Sequence, residues 1–457
     1  MNLHAVVLAA GKGSRMKSHL PKVLHPIAGQ PMLHRVLATT AALQPNTISL
    51  VLGHGIEAIE ASLATQAVTT RSVLQAQQLG TGHAVGLALA DIPDDTICLV
   101  LYGDVPLIST QTLEQCVAVA EQGHMAVVTA NVADPAELGR ITRNAEGSIE
   151  AIVEHKDASP AQRAIQEINS GILAVSSERL RGWISNLDSN NSQGEYYLTD
   201  TIAMAVQAGI TVTGIVAADE NEVLGVNDRI QLAQAERIYQ LQQAQALMRG
   251  GTTLLDPSRM DIRGTLTCGA DCVIDVNTVF IGNVTLGDGV VIGPNAVIED
   301  SVIGSGVTVQ PNTVIEGAVV GDHCSLGPFA RVRPGSHFEA GVKIGNFVET
   351  KKVSLGQGTK ASHLTYLGDA TIGANTNIGA GTVTCNYDGV DKHHTHIGQD
   401  AFIGTNSTLV APLEVGDSAF VAAGSTITSK VDDHDLAVGR TRQRNIANWR
   451  SPQDRKK

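Results

Sequence analysis

"IGANTNIGAGTVTCNYDGVDKHHTHIGQDAF", residues 372–402, decides how the second half of the chain is read. Ile372 and Ile378 stand six positions apart; the beat then lapses for more than a dozen residues and resumes at Ile397 and Ile403. The same spacing runs through Leu286, Ile292 and Ile298, slips by one to Ile303, and goes on through Val309 and Ile315. It continues at Leu326, Val332, Phe338 and Ile344, at Leu355, Ala361 and Leu367, and beyond the lapse at Leu409, Val415, Val421 and Ile427. Between these anchors lie Gly, Asn, Asp and Ser, which tolerate tight turns and left-handed backbone. A hexapeptide repeat over about 264–430 predicts a parallel β-helix. Three short strands make a coil of roughly eighteen residues with the anchors inward. Coils stack about 4.8 Å apart, and each buries its faces only against its neighbours.

Stacking turns spacing into proximity. Arg333 and Lys351 each follow an inward position, Val332 and Thr350, so two cations are expected one coil apart on the outer face. Like charges that close favour an anion between them, which makes a phosphate site. His363 also faces outward, with Asn346 below and Ala380 above. A neutral histidine is the usual general base near pH 7, and Arg333, Lys351, Tyr366 and Asn377 nearby raise its standing. The lapse is an inserted loop, "TCNYDGVDKHHTH", expected to stand off the prism and wall one side of the site. Asn386 and Tyr387 are its candidate substrate contacts. His393, His394 and His396 have no partner carboxylate at metal-ligand spacing.

The first half reads differently. "AVVLAAGKGSRMKSHLPKVL" begins as a buried strand and becomes a glycine-rich turn, without the spacing of a P-loop or a GxGxxG fingerprint. It offers the amides of Gly11, Lys12, Gly13 and Ser14 together with Arg15, Lys17 and Lys22, a cradle for a triphosphate. "CLVLYGDVPLI" ends a second buried strand at Gly103-Asp104, where an open α/β sheet binds ligands; a carboxylate beside phosphates points to Mg²⁺. "VLQAQQLGTGHA" supplies Gln75, Gly80 and Thr81 as base-edge readers. "GRIT", "IVEHKDA", "QEINSGI" and "GEYYLTD" add Gly139, Glu154, Asn169 and Thr199. From Asn227 an amphipathic helix is expected, with Ile230, Ala233, Ile238, Leu241 and Met248 on one face and a stop at Gly250-Gly251.

Composition agrees with this division. At 457 residues, the chain exceeds one ordinary core. Aromatics are 3% and glycines number 46, which suits a narrow core of small and branched residues. A net charge of −13 argues against a nucleic-acid surface. No apolar run approaches membrane length, and the first residues lack a signal peptide's charged start and cleavage site. Six scattered cysteines suit free thiols in a reducing cytoplasm.

The repeat resembles the left-handed β-helix of hexapeptide acyltransferases. The stretches "LAAGKGSRM", "LPKVL", "QLGTGHA", "YGDVPL", "EHKDA", "GNFVETKK", "SHLTYLGDA" and "NIGAGTVTCNYDG" together resemble a bacterial bifunctional family, N-acetylglucosamine-1-phosphate uridylyltransferase/glucosamine-1-phosphate N-acetyltransferase. The resemblance spans essentially the whole chain. It implies an α/β protein: a Rossmann-like nucleotidyltransferase domain (1–226), a linker helix (227–251) and a left-handed β-helix acetyltransferase domain with its tail (252–457). It implies UTP, N-acetylglucosamine 1-phosphate, glucosamine 1-phosphate, acetyl-CoA and Mg²⁺ as ligands, and a cytoplasmic homotrimer feeding peptidoglycan and lipopolysaccharide synthesis. Leu8, Ala9, Ala10, Gly11, Lys22, Gln75, Gly80, Thr81, Tyr102, Gly103, Asp104, Gly139, Glu154, Asn169 and Asn227 are then the nucleotide and sugar contacts. Asp104 and Asn227 hold the metal, and Arg15 and Lys22 assist catalysis. In the solenoid His363 is the base, with Arg333, Lys351, Tyr366, Asn377, Asn386 and Tyr387 around the sugar phosphate and Glu349 assisting. Ala380, Thr405, Ala423 and Arg440 line the coenzyme; at Thr405 the family carries serine, so a hydroxyl is kept. The basic tail with Arg440, Arg442 and Arg444 is expected to reach the site of another copy. The competing reading is a single-activity nucleotidyltransferase with a structural solenoid.

Overall fold

The computed structural model describes residues 2–64 and 66–453. The chain divides into two compact units, Met1–Tyr239 and Gln240–Lys457.

In the first unit the apolar start becomes the strand Asn2–Ala9, flanked in parallel by Thr47–Leu52 and Thr96–Tyr102. The main path of the sheet runs Val212–Val216, Met125–Asn131, Glu167–Ser176, Thr96–Tyr102, Asn2–Ala9, Thr47–Leu52, Arg71–Leu74. Glu167–Ser176 alone in this path runs antiparallel to both neighbours. Side chains alternate along each strand. Ala5, Val7, Leu99 and Leu101 enter one core, closed by Leu33, Val36 and Leu113 of the helices Met32–Ala42 and Thr110–Glu121. Val6, Leu8, Cys98 and Val100 enter the other, closed by Ala84, Val85 and Ile202 of the helices Thr81–Leu89 and Asp200–Gln207. Burial on both faces is why these strands read as unbroken apolar runs. The parallel strands deliver Ala9 and Tyr102 to the same edge of the sheet.

In the second unit every six-spaced anchor from Leu286 to Ile427 is buried, and so is Thr350. A polar anchor is tolerated there because its hydroxyl meets that of Ser336 at 3.1 Å. One coil holds Val291–Ile292, Val297–Glu299 and Val302–Ile303, and the next stacks Thr308–Val309, Val314–Glu316 and Val319–Val320 on it, all parallel. The step between coils is 17 or 18 positions through the middle of the solenoid (Ile344 with Ala361, Ile403 with Val421), 20 at the first pairing (Leu254 with Ile274) and 16 at the last (Val421 with Ala437). It lengthens to 25 across the insertion, where Ile378 pairs with Ile403. At one corner Asn277, Asn295 and Asn312 adopt left-handed backbone and pass a side-chain amide bond from coil to coil, at 2.9 and 3.2 Å.

Two expectations need correction. The solenoid is longer than its repeat: the ladder starts at Thr253–Leu254 and ends at Leu436–Ala437. The six-residue spacing in fact reaches back through Phe280, Ile274, Cys268 and Ile262, of which all but the half-buried Cys268 are buried. The helix also differs. It runs Arg229–Arg249, and Asp228 caps it by accepting from the backbone N–H of Ile230 and Gln231. Its buried positions are Ala235, Gln240 and Ala244, while Ile230, Ala233, Leu241 and Met248 are exposed. A glutamine occupies the buried side because both ends of its amide are matched: Nε2 donates to the Ile262 carbonyl at 2.8 Å, and Oε1 accepts from Ile262 N–H at 2.7 Å. No helix among the described residues is long and apolar enough to cross a membrane. All six cysteines are free.

Candidate functional site

At the edge where Ala9 and Tyr102 emerge, the first unit opens a cavity of about 280 Å³. Of the residues expected there, Leu8, Ala9, Ala10, Gly11, Lys22, Gln75, Gly80, Thr81, Tyr102 and Asp104 line it. Gln78 and Glu195 also line it and were not expected. Gln78 braces the mouth by donating to the Ala10 carbonyl at 2.6 Å. It lies in the same glutamine-rich motif as Gln75, but nothing in a run of three glutamines separates a wall residue from a base reader. Gly13 closes the turn: it has φ +60°, and a Cβ there would sit 2.6 Å from that of Lys22. Arg15 is exposed on the short turn Ser14–Met16 and stands outside the cavity lining. Of the two cations assigned to catalysis, Lys22 is the one in the cavity wall.

Lys22 Nζ donates to Asp104 Oδ2 and, at 3.0 Å, to Asn227 Oδ1. Two hard oxygens from distant parts of the chain thus converge on one positive atom. The Val226 N–H, bonded to the Asp104 carbonyl at 2.9 Å, fixes the approach of the two segments. Because Asp228 takes the capping role, the Asn227 side chain is left to face Lys22.

A second cluster continues from Tyr102. Gly171, with φ +84°, lets the Tyr102 ring lie where a Cβ would clash at 2.5 Å. Asn169 Oδ1 accepts from Gly171 N–H at 2.9 Å, and Asn169 N–H donates to the Gly139 carbonyl at 2.9 Å. Glu154 Oε1 accepts from Thr199 Oγ1 at 3.0 Å. Burial, reinforced by Asp200 and Asp157, raises the Glu154 carboxyl above its ordinary range against that hydrogen bond. Burial also pushes the Tyr102 phenol up, with Glu154 and Asp104 adding to it. Gly139, Glu154 and Asn169 therefore form a group of their own, outside the cavity lining.

On the solenoid, the register puts Arg333 and Lys351 in one column, as expected: Val332 pairs with Thr350, and Arg333 N–H bonds the Thr350 carbonyl. The cations are not bare, however. Arg333 pairs with Glu349 at 2.9 Å and Lys351 with Asp369 at 3.4 Å, so no phosphate is needed to explain their proximity. Asn386, at the start of the insertion, is buried and donates to Asp369. Lys392, unmarked in the sequence, lies beside Lys351, and the hydrogen bond with that ammonium, together with its charge, pushes Lys392 down. Tyr387 is exposed and bonds back to the Gly389 carbonyl at 2.6 Å. His393 pairs with Asp388, and His394 with Thr371. No group of three metal-ligating side chains occurs among the described residues.

His363 is exposed, and its Nδ1 lies 2.8 Å from Asn346 Oδ1. An amide oxygen only accepts, so Nδ1 carries a proton, and in the neutral ring the lone pair is then on Nε2. The close backbone stacking here needs glycine: a Cβ on Gly345 would sit 1.9 Å from the Ser362 carbonyl oxygen. Asn346 pairs with His363, and the registers Ala361 with Ile378, Ile378 with Ile403, and Ile403 with Val421 carry the same column to Ala380, Thr405 and Ala423. Asn377 starts a strand of this face, next to Lys360. Tyr366 begins the adjoining face, next to Glu349. A Cβ added at Gly424, one position beyond Ala423, would lie 3.8 Å from Arg440 Cδ.

Comparison with known proteins covers both units. The MobA-like NTP transferase domain matches residues 5–173, the GMPPB C-terminal domain residues 262–354, and the hexapeptide repeat of succinyl-transferase residues 394–429. The chain is 54% identical over 450 residues to the bifunctional protein GlmU of Marinobacter nauticus, covering 98% of this chain and 99% of that one. It is 54% identical over 452 residues to the bifunctional protein GlmU of Stutzerimonas stutzeri, with 99% of each covered. With the bifunctional protein GlmU of Pseudomonas entomophila it shares 53% identity over 457 residues, the full length of both.

Proposed function

The chain belongs to the bifunctional GlmU family, a uridylyltransferase and an acetyltransferase in one polypeptide, and from that premise we propose how its residues divide the work. It transfers an acetyl group from acetyl-CoA to a sugar phosphate and transfers a nucleotide to form a nucleotide sugar. The finer assignment is glucosamine 1-phosphate as acyl acceptor and N-acetylglucosamine 1-phosphate as the nucleophile toward UTP. Residues 252–457 carry the first reaction, residues 1–226 the second, and 227–251 join them.

The observation that carries the acetyl-transfer reading is the His363 column. With Nδ1 held by Asn346, Nε2 is the atom that takes a proton from the sugar amine as the amine attacks the thioester carbon and the thiolate leaves. Above it, Ala380, Thr405 and Ala423 rise one per coil at about 4.8 Å. Small side chains there leave a lane for the coenzyme's extended arm, and Arg440 of another copy meets its phosphates. Arg333 and Lys351 hold the sugar phosphate. Glu349 and Asp369 aim those cations, and Tyr366, Asn377, Asn386 and Tyr387 surround the ring.

In the first unit the sugar phosphate oxygen attacks the α-phosphorus of UTP in line, and pyrophosphate leaves. Gln75, Gly80 and Thr81 position the base, and the amides from Ala10 and Gly11 with Lys22 position the phosphates. Gly139, Glu154 and Asn169 take the sugar. Asp104 and Asn227 fit a hard divalent cation, because a carboxylate and an amide oxygen already meet at one positive atom, Lys22 Nζ. Bound there, Mg²⁺ supplies charge neutralisation between phosphates. With Mg²⁺ on Asp104 and Asn227, Lys22 in the cavity wall would be left for the nucleotide phosphates.

We place the enzyme in the cytoplasm as a homotrimer, since free thiols suit a reducing compartment and flat prism faces side by side make clefts that one prism lacks. Sedimentation at a three-chain mass supports the assembly, and a monomer active in acetyl transfer removes it. Separate assay of the two half-reactions tests the division of labour. In that assay Arg333→Ala raises KM for glucosamine 1-phosphate about 10- to 100-fold, the cost of one charge-assisted hydrogen bond, with a smaller change in kcat. A fall in kcat at unchanged KM would take Arg333 out of phosphate binding.

A further inference from the structure

Gln75 is buried, yet it lines the nucleotide cavity. Its Nε2 donates to the Gly80 carbonyl at 3.1 Å and meets His83 Nδ1 at 3.0 Å. A carbonyl oxygen only accepts, so the amide nitrogen must be the atom on this side. The Gly80 carbonyl is itself anchored, because it accepts the Ala84 N–H at 3.2 Å in the first turn of the helix Thr81–Leu89. With one hydrogen spent on Gly80, the other goes to His83, whose Nδ1 must hold a lone pair and whose proton therefore sits on Nε2. Both donors of the amide are consumed. Among the described residues Oε1 has no hydrogen-bond partner in the protein, so Gln75 can offer the cavity an acceptor and no donor.

From this we infer that His83 is a specificity-determining positioning residue: by holding the Gln75 amide in one orientation, it makes the enzyme select a pyrimidine whose N3 carries hydrogen. Uracil N3–H donates to Oε1, whereas cytosine N3 is an unprotonated acceptor and meets a second acceptor. Were the amide to turn over, Oε1 would face the Gly80 carbonyl and the His83 lone pair, and Nε2 would face the cavity, an arrangement that suits cytosine. His83 touches neither substrate nor reacting atoms; it acts through Gln75. The inference rests on the reading of Gln75 as a base contact.

The test uses the full-length protein and measures kcat/KM for UTP and for CTP with N-acetylglucosamine 1-phosphate. The ratio is taken within one preparation, so any loss of folded enzyme cancels. His83→Leu removes the acceptor and narrows the UTP/CTP ratio about 3- to 10-fold, as expected for one neutral hydrogen bond. His83→Asn places Oδ1 near the position of the lost Nδ1 and keeps the ratio within about twofold. Gln75→Leu narrows it by about 10²-fold or more, since a site built to hydrogen-bond a substrate N–H discriminates by up to about 10⁴–10⁵. An unchanged ratio in Gln75→Leu would overturn the base-contact reading itself. A collapsed ratio in Gln75→Leu beside an unchanged one in His83→Leu would overturn the His83 role alone. That role also falls if His83→Asn narrows the ratio as much as His83→Leu, because the acceptor atom then has no part in it.

Discussion

His363→Ala lowers acetyl transfer by about 10²–10⁴-fold, the span for losing a positioned general base, and leaves uridylyl transfer at its original rate. The sugar amine must shed a proton once its nitrogen bonds to the thioester carbon. Asn346 holds the imidazole by Nδ1, so Nε2 is the one basic ring atom that can take it. The loss falls on kcat, because alanine keeps the coenzyme lane and the phosphate cations. His363→Gln keeps a polar side chain but supplies no basic nitrogen, so it stays as slow. Asn346→Leu behaves differently. It frees the tautomer without removing the ring, so the loss is smaller. Acetyl transfer by His363→Ala at the original rate near pH 7 would take the imidazole out of the mechanism.

Asp104→Ala removes about 10³-fold or more of uridylyl transfer while acetyl transfer continues. A bound cation contributes several kcal/mol of charge stabilisation, and each 1.36 kcal/mol is a factor of ten in rate. Asn227 alone is a neutral amide and holds a hard cation poorly. EDTA reproduces the same split in the unaltered enzyme. Mn²⁺ binding followed by its paramagnetic signal gives a second readout, expected to weaken in step with activity. Equal loss of both reactions in a folded Asp104→Ala protein would show that this carboxylate does not serve one site alone.

The solenoid was legible because its rule is arithmetic: burial every sixth residue survives even where the anchor is Thr350. The expected cation column of Arg333 and Lys351 came from the same arithmetic. Their carboxylates were harder to see. Glu349 lies 16 positions after Arg333, off the eighteen-residue column, and Asp369 lies 18 after Lys351 although the register there is 17 and sets Gly368 opposite Lys351. The helix Arg229–Arg249 was misread because apolar periodicity assumes that buried means apolar, and Gln240 is buried on hydrogen bonds. In the first unit, the motif glycines and Asp104 stood out at strand ends. Gln78 and Glu195 did not, since a wall residue recruited by backbone geometry has no pattern of its own.

The column from His363 to Ala423 behaves as a graduated ruler. Its marks are set by backbone hydrogen bonds between coils, so they fall at whole multiples of the strand spacing of about 4.8 Å. Chain length between two marks is a separate matter. Twenty-five residues separate Ile378 from Ile403, yet the two pair as neighbours like Ile403 and Val421, eighteen apart. Loop length can therefore vary without shifting the base relative to the far end of the lane. Adding or removing a whole coil shifts it by one full graduation. A carrier arm even half a graduation longer or shorter would find no intermediate setting, so the reach of the thioester donor is selected by a count of coils, in discrete steps.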